Sequence, residues 1–589
     1  MTRAAIVVAL LVATPCVALG ARAIAGGSLY GLHVLSMSAI YAIAVLGYQL
    51  VFGHAGALAL SQGTFMGIGA YVGAYLGTRY GLSFTATLPL CVGVPVALAA
   101  IVGLPVMRLR THYFALATLV IAQIASLVAT QWESVSGGSN GIGGIPPLAL
   151  SGIAIGRGLP TFVLTWGFAA VAAVLTWRIS RGKYGMALAM MRAHPVAAPA
   201  IGIDIASLRF TAFLASAGFA GLAGALYAPA IGVVSPDVLG FPLMVSLLTI
   251  AVIGSRRRIA GALAGSILIT ELPEWFRFLR DDYLLAYGFA LLVVIVLLPD
   301  GLVVAAEQWV SGIVPTPEPD RPTALPMPAA VRLEGGLLEV VAVSRTFGGV
   351  RALDTVSLAV AAGEVVGLIG PNGSGKTTLV NVVTGIVPAQ AGHIALDGRS
   401  LTHELPHTIV RAGIARSFQT PALIEDATAL DNVALAHEPQ RTTLLRALIW
   451  GQQAPHQASG RAFSMGLLDL LGAAASADLP CGLLSLAMRR RVEIARALAG
   501  QPRLVLLDEP AAGLSHAEQA DLAQRLRLVA ATGIGLLIIE HNQQFLASLC
   551  DRLICLDAGR IIAAGRPADV CNDPAVIAAY LGQAAAARG

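Results

Sequence analysis

Ten apolar runs, each close to a bilayer in length, fill the first half of this chain, at roughly 5–25, 29–52, 63–79, 84–107, 112–131, 160–177, 208–230, 241–255, 259–275 and 283–299. The hydrocarbon core of a membrane takes about 20 apolar residues per helix. Runs of that length with almost no charge exclude a soluble fold for residues 1–305. Only 12% of the 589 residues are charged against 56% hydrophobic, whereas a soluble domain carries about 25% charged. That balance also excludes a disordered chain. Six cysteines are too few for a disulfide framework, and none has metal-site spacing. The net charge of +5 is read as cations on the inner face of a membrane protein, not as a nucleic-acid surface.

The first run is read as a transmembrane helix. A cleaved signal peptide, or a lipoprotein signal around Thr14, Pro15 and Cys16, is the alternative. With the N-terminus inside, the inner loops hold Arg3, Arg108, Arg110, Arg178, Arg181, Lys183, Arg192, Arg209 and the triplet Arg256, Arg257, Arg258. The outer loops hold only Arg22, Arg79, Arg157, Arg277 and Arg280. Ten spans return the C-terminus to the inside; eight or nine would also fit. Gly69, Gly73 and Gly77, and likewise Gly218, Gly221 and Gly224, recur at helical spacing. Such rows serve close helix packing or line a substrate path. Gln49, Gln62 and Gln123 lie in or near spans, as pathway groups or as partners of neighbouring backbone.

Beyond residue 305 the composition changes. Pro315, Pro317, Pro319, Pro322, Pro326 and Pro328 mark an extended spacer. The expected domains are a transmembrane region at 1–305, a proline-rich linker at 306–336 and a cytoplasmic α/β domain at 337–589.

The strongest motif is Gly370, Pro371, Asn372, Gly373, Ser374, Gly375, Lys376, Thr377, Thr378. It matches the phosphate-binding loop G-x-x-x-x-G-K-[ST], between an apolar strand at 364–369 and a helix start at 379–384. The glycines let backbone N–H groups curl around phosphate, and the helix N-terminus adds partial positive charge. Lys376 would reach the β- and γ-phosphates of ATP, and Thr377 would ligate Mg²⁺. A second apolar strand, 504–507, ends in Asp508 and Glu509. Asp508 is placed to hold Mg²⁺ through water, and Glu509 to act as general base. A third strand, 535–539, ends at Glu540 and His541; His541 is expected to donate to the γ-phosphate.

Taken together, the phosphate loop, Gln419, the LSLAM run at 484–488, the basic stretch 489–496, Asp508–Glu509 and His541 resemble an ABC transporter ATPase, folded as an α/β P-loop domain. FGGVRALD at 347–354, PAAGL at 510–514 and AAYLG at 578–582 narrow the resemblance to the ATPase of branched-chain amino acid importers. In the first half, MRLRTHYFALATL at 107–119, GGSNGIGGIPP at 137–147, AIGID at 200–204 and AGLAGALY at 220–227 resemble the permease of the same importers.

The resemblance implies a fused permease and ATPase in the cell (inner) membrane. It implies that Phe347 stacks on adenine, that Gln419 senses the γ-phosphate and contacts the metal, that Ser485 contacts nucleotide across a dimer, and that His541 is the switch histidine. The implied partners are a sister permease, a sister ATPase and a periplasmic solute-binding protein, with the lipid bilayer and no nucleic acid. The basic loop 178–205, helical over 184–192, would dock near Gln419. The implied substrates are branched-chain or related small amino acids, with amides and urea as alternatives. An exporter half-transporter and an ATP-gated membrane switch are the rival readings. Two departures bear on the dimer: Ala487 and Met488 replace the second glycine and the glutamine of the signature, and Ser515 stands where Asp or Asn is usual.

Overall fold

The computed structural model describes the chain except for residues 1–25, 27, 108–110, 151–152, 277–282, 314–336, 438–442, 445–446, 449–455 and 587–589. The first apolar run, the proline-rich stretch, and Arg3, Arg22, Arg108, Arg110, Arg277 and Arg280 therefore lie outside the described residues. The chain forms two compact units.

The first unit holds residues 1–188, 206–318 and 444–451. Every apolar run within its described residues is helical. The helices are α1 (Leu29–Tyr48), α2 (Gln62–Tyr80), α3 (Phe84–Val106), α4 (Thr111–Gln131), α5 (Leu159–Ser180), then α6 (Gly182–Ala193), whose last residues enter the second unit, α7 (Ile205–Ile231), α8 (Phe241–Gly254), α9 (Ile259–Trp275), α10 (Tyr283–Leu297) and α11 (Leu302–Ile313). Among the described residues, α1 with its π-helical extension to His54, α3, α4, α5 and α7 are each long and apolar enough to cross a membrane alone. Lipid offers no hydrogen bonds, so each backbone must satisfy itself, and the helix is the local solution.

The small-residue rows serve helix packing. A Cβ on Gly224 would lie 2.0 Å from the Met66 carbonyl oxygen, and one on Gly69 would lie 2.6 Å from that of Gly221. Helices α2 and α7 therefore meet backbone to backbone. Gln62 donates to Ala44 O at 2.8 Å and accepts from Ser216 Oγ at 2.7 Å. Gln49 donates to the carbonyls of Ser255 and Arg258 at 2.8 and 3.0 Å. Both amides are buried and pin helix ends; Gln123 is exposed on α4. Residues 306–313, at the start of the expected linker, form the second part of α11, which packs Val303 and Val310 against Ala260 and Ala264 of α9.

The second unit holds residues 189–205, 319–443 and 452–589. Its strands are β1 (Leu338–Phe347), β2 (Val350–Val360), β3 (Val365–Ile369), β4 (Ala391–Leu396), β5 (Arg399–Ser400), β6 (Ile414–Arg416), β7 (Leu504–Asp508), β8 (Gly535–Ile539), β9 (Arg552–Asp557) and β10 (Arg560–Gly565). One sheet runs β6-β7-β8-β3-β9-β10, parallel except for the last pair. A second, antiparallel sheet runs β2-β1-β4-β5. Strands β3, β7 and β8 are buried along their whole length, which is why they read as unbroken apolar runs. Ligands in such sheets gather outside the carboxyl ends of the parallel strands. All three strands deliver a motif at that end.

Candidate functional site

The phosphate loop leaves β3 and enters α12 (Lys376–Val383). Gly370, Gly373 and Gly375 have φ of 145°, 80° and 106°, in the region that disfavours any side chain. A Cβ on Gly370 would lie 2.0 Å from Leu556 O, and one on Gly375 would lie 2.4 Å from Ala352 O. No side chain caps the N-terminus of α12, so its first N–H groups are left to an incoming anion. Lys376 is buried, and its Nζ donates to Gly370 O at 2.7 Å, Pro371 O at 2.8 Å and Ser374 Oγ at 3.3 Å. Burial lowers its pKa, and the nearby Glu509 carboxylate partly opposes that. A glycine cradle, uncapped helical N–H groups and an inward lysine suit a polyphosphate.

The two carboxylates at the end of β7 stand in different settings. Asp508 is buried and accepts from Arg416 Nη2 at 3.1 Å. Arg416 also donates to Asn381 Oδ1 at 2.6 Å and stacks on Phe418. Glu509 holds a left-handed backbone, φ 49°, fixed by its N–H donating to Ile539 O at 2.9 Å. Gln419 Nε2 donates to Glu509 Oε2 at 2.7 Å, and His541 Nε2 lies 3.2 Å from Glu509 Oε1. Glu509, Gln419 and His541, which are distant in sequence, thus form one cluster. Phe347 is exposed at the end of β1, with the Arg345 guanidinium over one face of its ring at 4.7 Å.

Sequence reasoning missed three features. The Gly370 N–H donates to the Tyr580 hydroxyl at 2.9 Å, so the tail helix α20, which follows α13 (Pro406–Ala412), α14 (Ala429–Ala436), α15 (His456–Leu470), α16 (Leu486–Ala499), α17 (His516–Ala531), α18 (Gln543–Leu549) and α19 (Pro567–Cys571) and spans Pro574–Ala586, reaches the phosphate loop. Arg416 is the second. The third is a buried ionic cluster on α16. Glu493 accepts from the N–H groups of Phe418 and Ala422 at 3.3 and 3.2 Å. Arg490 donates to Phe418 O at 2.8 Å and to Gln419 O, and Arg496 donates to Ala422 O. Burial raises the Glu493 pKa, with Arg496 as the main opposing charge. This cluster fixes the backbone on both sides of Gln419.

Segment 189–205 meets the far end of that loop. His194 Nε2 is 3.0 Å from Leu423 O, Met190 Sδ is 3.7 Å from Arg496 Nη1, and Arg411 Nη2 donates to Gly202 O at 3.4 Å. The helix expected at 184–192 is α6. Ser485 is the N-cap of α16, its hydroxyl accepting the Met488 N–H at 3.3 Å, and Ala487 is buried. Ser515 caps α17 in a full capping box with Glu518.

Residues 30–298 match the family described as the branched-chain amino acid transport system permease component. Residues 353–512 match the ABC transporter family, and 560–586 match the branched-chain amino acid ATP-binding cassette transporter family. The high-affinity branched-chain amino acid transport ATP-binding protein BraF of Pseudomonas aeruginosa is 35% identical over 42% of this chain and 98% of its own length. This chain belongs to the branched-chain amino acid ABC transporter family. It is a permease fused to its ATPase, and its enzymatic activity is ATP hydrolysis coupled to transport. The branched-chain ATPase half is also 39% identical, over 38% of this chain and 89% of the relative, to the lipopolysaccharide export ATP-binding protein LptB of Acidithiobacillus ferridurans. A solved nucleotide-free ATP-binding cassette from an ABC transporter is 32% identical over 42% of this chain and 98% of that chain, with a TM-score of 0.38.

Proposed function

We propose that this ABC transporter chain is one component of an ATP-driven importer of branched-chain or related small amino acids. The observation that carries the reading is the union, in one polypeptide, of the permease stretch 30–298 with an intact phosphate loop and the carboxylates Asp508 and Glu509. The ATPase half alone is similar both to a branched-chain amino acid transport subunit and to a lipopolysaccharide export subunit, so the reading leans on the permease half. The domains proposed are a permease to 305, a linker over 306–336 whose first residues, 306–313, belong to α11, and a cytoplasmic ATPase from 337, in the cell membrane.

In this reading the backbone of 370–378 and Lys376 hold the β- and γ-phosphates, and Phe347 supports the adenine. Thr377, Asp508 and Gln419 are the groups that would hold Mg²⁺, which when bound neutralises phosphate charge. Glu509 orients and deprotonates the attacking water, while Gln419 and His541 place its carboxylate and face the γ-phosphate. Substitution by Gln at 509 keeps the shape and removes the base. Glu509→Gln should bind ATP and lose steady-state hydrolysis, and Lys376→Ala should weaken nucleotide binding and abolish transport. Near-normal turnover in Glu509→Gln removes the base assignment.

The partners proposed are a sister permease, a sister ATPase and a periplasmic binding protein. Ala487 adds a methyl where signature backbone approaches phosphate, so two copies of this ATPase would carry two weakened sites. A sister ATPase confines that to one. The purified chain alone should be a poor ATPase, improved by Ala487→Gly or by the sister subunits. Uptake of labelled leucine, isoleucine, valine, urea and short amides into energised vesicles, with the binding protein added, tests substrate and direction. Extrusion instead of uptake overturns the importer reading.

A further inference from the structure

Helix α11 lies beyond the permease match, which ends at 298, and is too short to span a bilayer. Twelve residues extend about 18 Å, against a hydrocarbon core of about 30 Å. Leu291–Leu297 and Leu302–Val310 together have the length and hydropathy of one span, but the axis turns 46° at the break between them.

Its position along the membrane normal is fixed by what it touches. Val303 and Val310, seven residues apart, form one buried cluster against which Ala260 and Ala264, in the first turns of α9, are packed. The residues of α9 in this cluster are thus confined to its first two turns. A Cβ on Gly301, just ahead of α11, would lie 2.7 Å from Ser255 Cα, and Ser255 Oγ donates to Asp300 O at 3.1 Å. Glu307 pairs with Arg258 at 2.7 Å. Ser255 and Arg258 belong to the turn between α8 and α9, which carries the arginine triplet 256–258, and Ala260 and Ala264 lie just beyond it in α9.

Around the helix, one apolar stripe, Val303, Ala306 and Val310, is the stripe packed on α9. Beside it runs a second, Leu302, Ala305 and Trp309, at the same i, i+3, i+7 spacing. Trp309 is 70% exposed. Glu307 borders the packed stripe and Gln308 borders the second, with Val304 between them. The preceding helix is also apolar and open: Phe289, Leu292, Val296 and Leu297 are all exposed.

We infer that α11 is an interfacial helix that lies along the arginine-rich surface of the bilayer, with Leu302, Ala305 and Trp309 set into the lipid at headgroup level. Tryptophan favours that depth because its ring is apolar and its N–H wet. The occupant is lipid because this partly open stripe, with Trp309 exposed, follows directly on the exposed apolar side chains of α10, and because Glu307 beside it pairs with Arg258. That this surface is the cytoplasmic one rests on the proposed orientation.

The test uses the full chain in nanodiscs containing anionic lipid, with native cysteines replaced and ATPase activity retained. A nitroxide is placed at Trp309→Cys or at Gln308→Cys. Collision with oxygen should exceed collision with a water-soluble nickel chelate at 309, and the order should invert at 308. Higher nickel than oxygen access at 309 overturns the inference. Shielding of 309 from both reagents, whether alone or only with sister subunits, also overturns it by placing protein on the stripe. Vesicle uptake by the same variants is scored separately. A lipid-facing 309 without uptake leaves the anchor standing and removes the transport reading; uptake with a water-facing 309 does the reverse.

Discussion

Glu509 and Tyr580 hold the two ends of the phosphate chemistry in place by different means. Glu509 sits in a left-handed backbone with its carboxylate shared by Gln419 and His541. Tyr580 holds the first glycine of the loop through one hydrogen bond. Such a bond contributes roughly 0.5–1.5 kcal/mol, so Tyr580→Phe should raise the KM for ATP by about 2- to 10-fold and leave kcat near wild type. A fall in kcat at unchanged KM would place Tyr580 in the chemistry instead. Arg416→Met leaves the buried Asp508 without its cation, which typically costs about 3–5 kcal/mol, and denaturant unfolding of the full chain should show a loss of that order. Burial lowers the Lys376 pKa, and bound phosphate restores the charged form. Binding at alkaline pH should therefore take up protons, read by calorimetry in buffers of different ionisation enthalpy. Lys376, Asp508, Glu509 and His541 were legible as candidates in the sequence because each lies at or shortly after the end of an apolar strand at a fixed motif offset. Arg416, Glu493 and Tyr580 were not, because their partners lie 92, 75 and 210 positions away and no local pattern records such a distance.

Helices and strands followed their apolar runs closely, since burial along a whole strand or lipid around a whole helix demands continuous hydrophobicity. Helix α11 escaped notice because twelve residues containing a glutamate satisfy neither a span nor a soluble domain. The unusual Ser515 becomes clear at this scale. Ser-x-x-Glu is a capping box, and serine serves the N-cap of α17 as well as Asp or Asn does. Ser515→Ala should cost about 1 kcal/mol, and Ser515→Asp almost nothing, by thermal unfolding. The contact between α2 and α7 has no such tolerance. Gly224→Leu should abolish accumulation of folded protein, because the side chain would start 2.0 Å from the Met66 carbonyl oxygen. Normal expression and a monodisperse elution profile would contradict this.

At the scale of the whole chain, a short stretch from the permease half of the sequence, 189–205, clusters with the ATPase. His194 and Met190 touch the backbone and ion cluster that flank Gln419. A cysteine pair at His194 and Leu423 should crosslink in native membranes. His194→Ala should keep ATP hydrolysis while reducing uptake, and an equal loss of both would show the contact to be structural only. The covalent fusion changes what this contact needs to be. In a transporter assembled from separate polypeptides, the docked stretch must hold its ATPase against dilution. Here the two belong to one polypeptide, and covalent linkage makes their meeting intramolecular, with an effective concentration that reaches the order of millimolar for short linkers. The contact can then be weak enough to release and re-form in every cycle without the ATPase being lost.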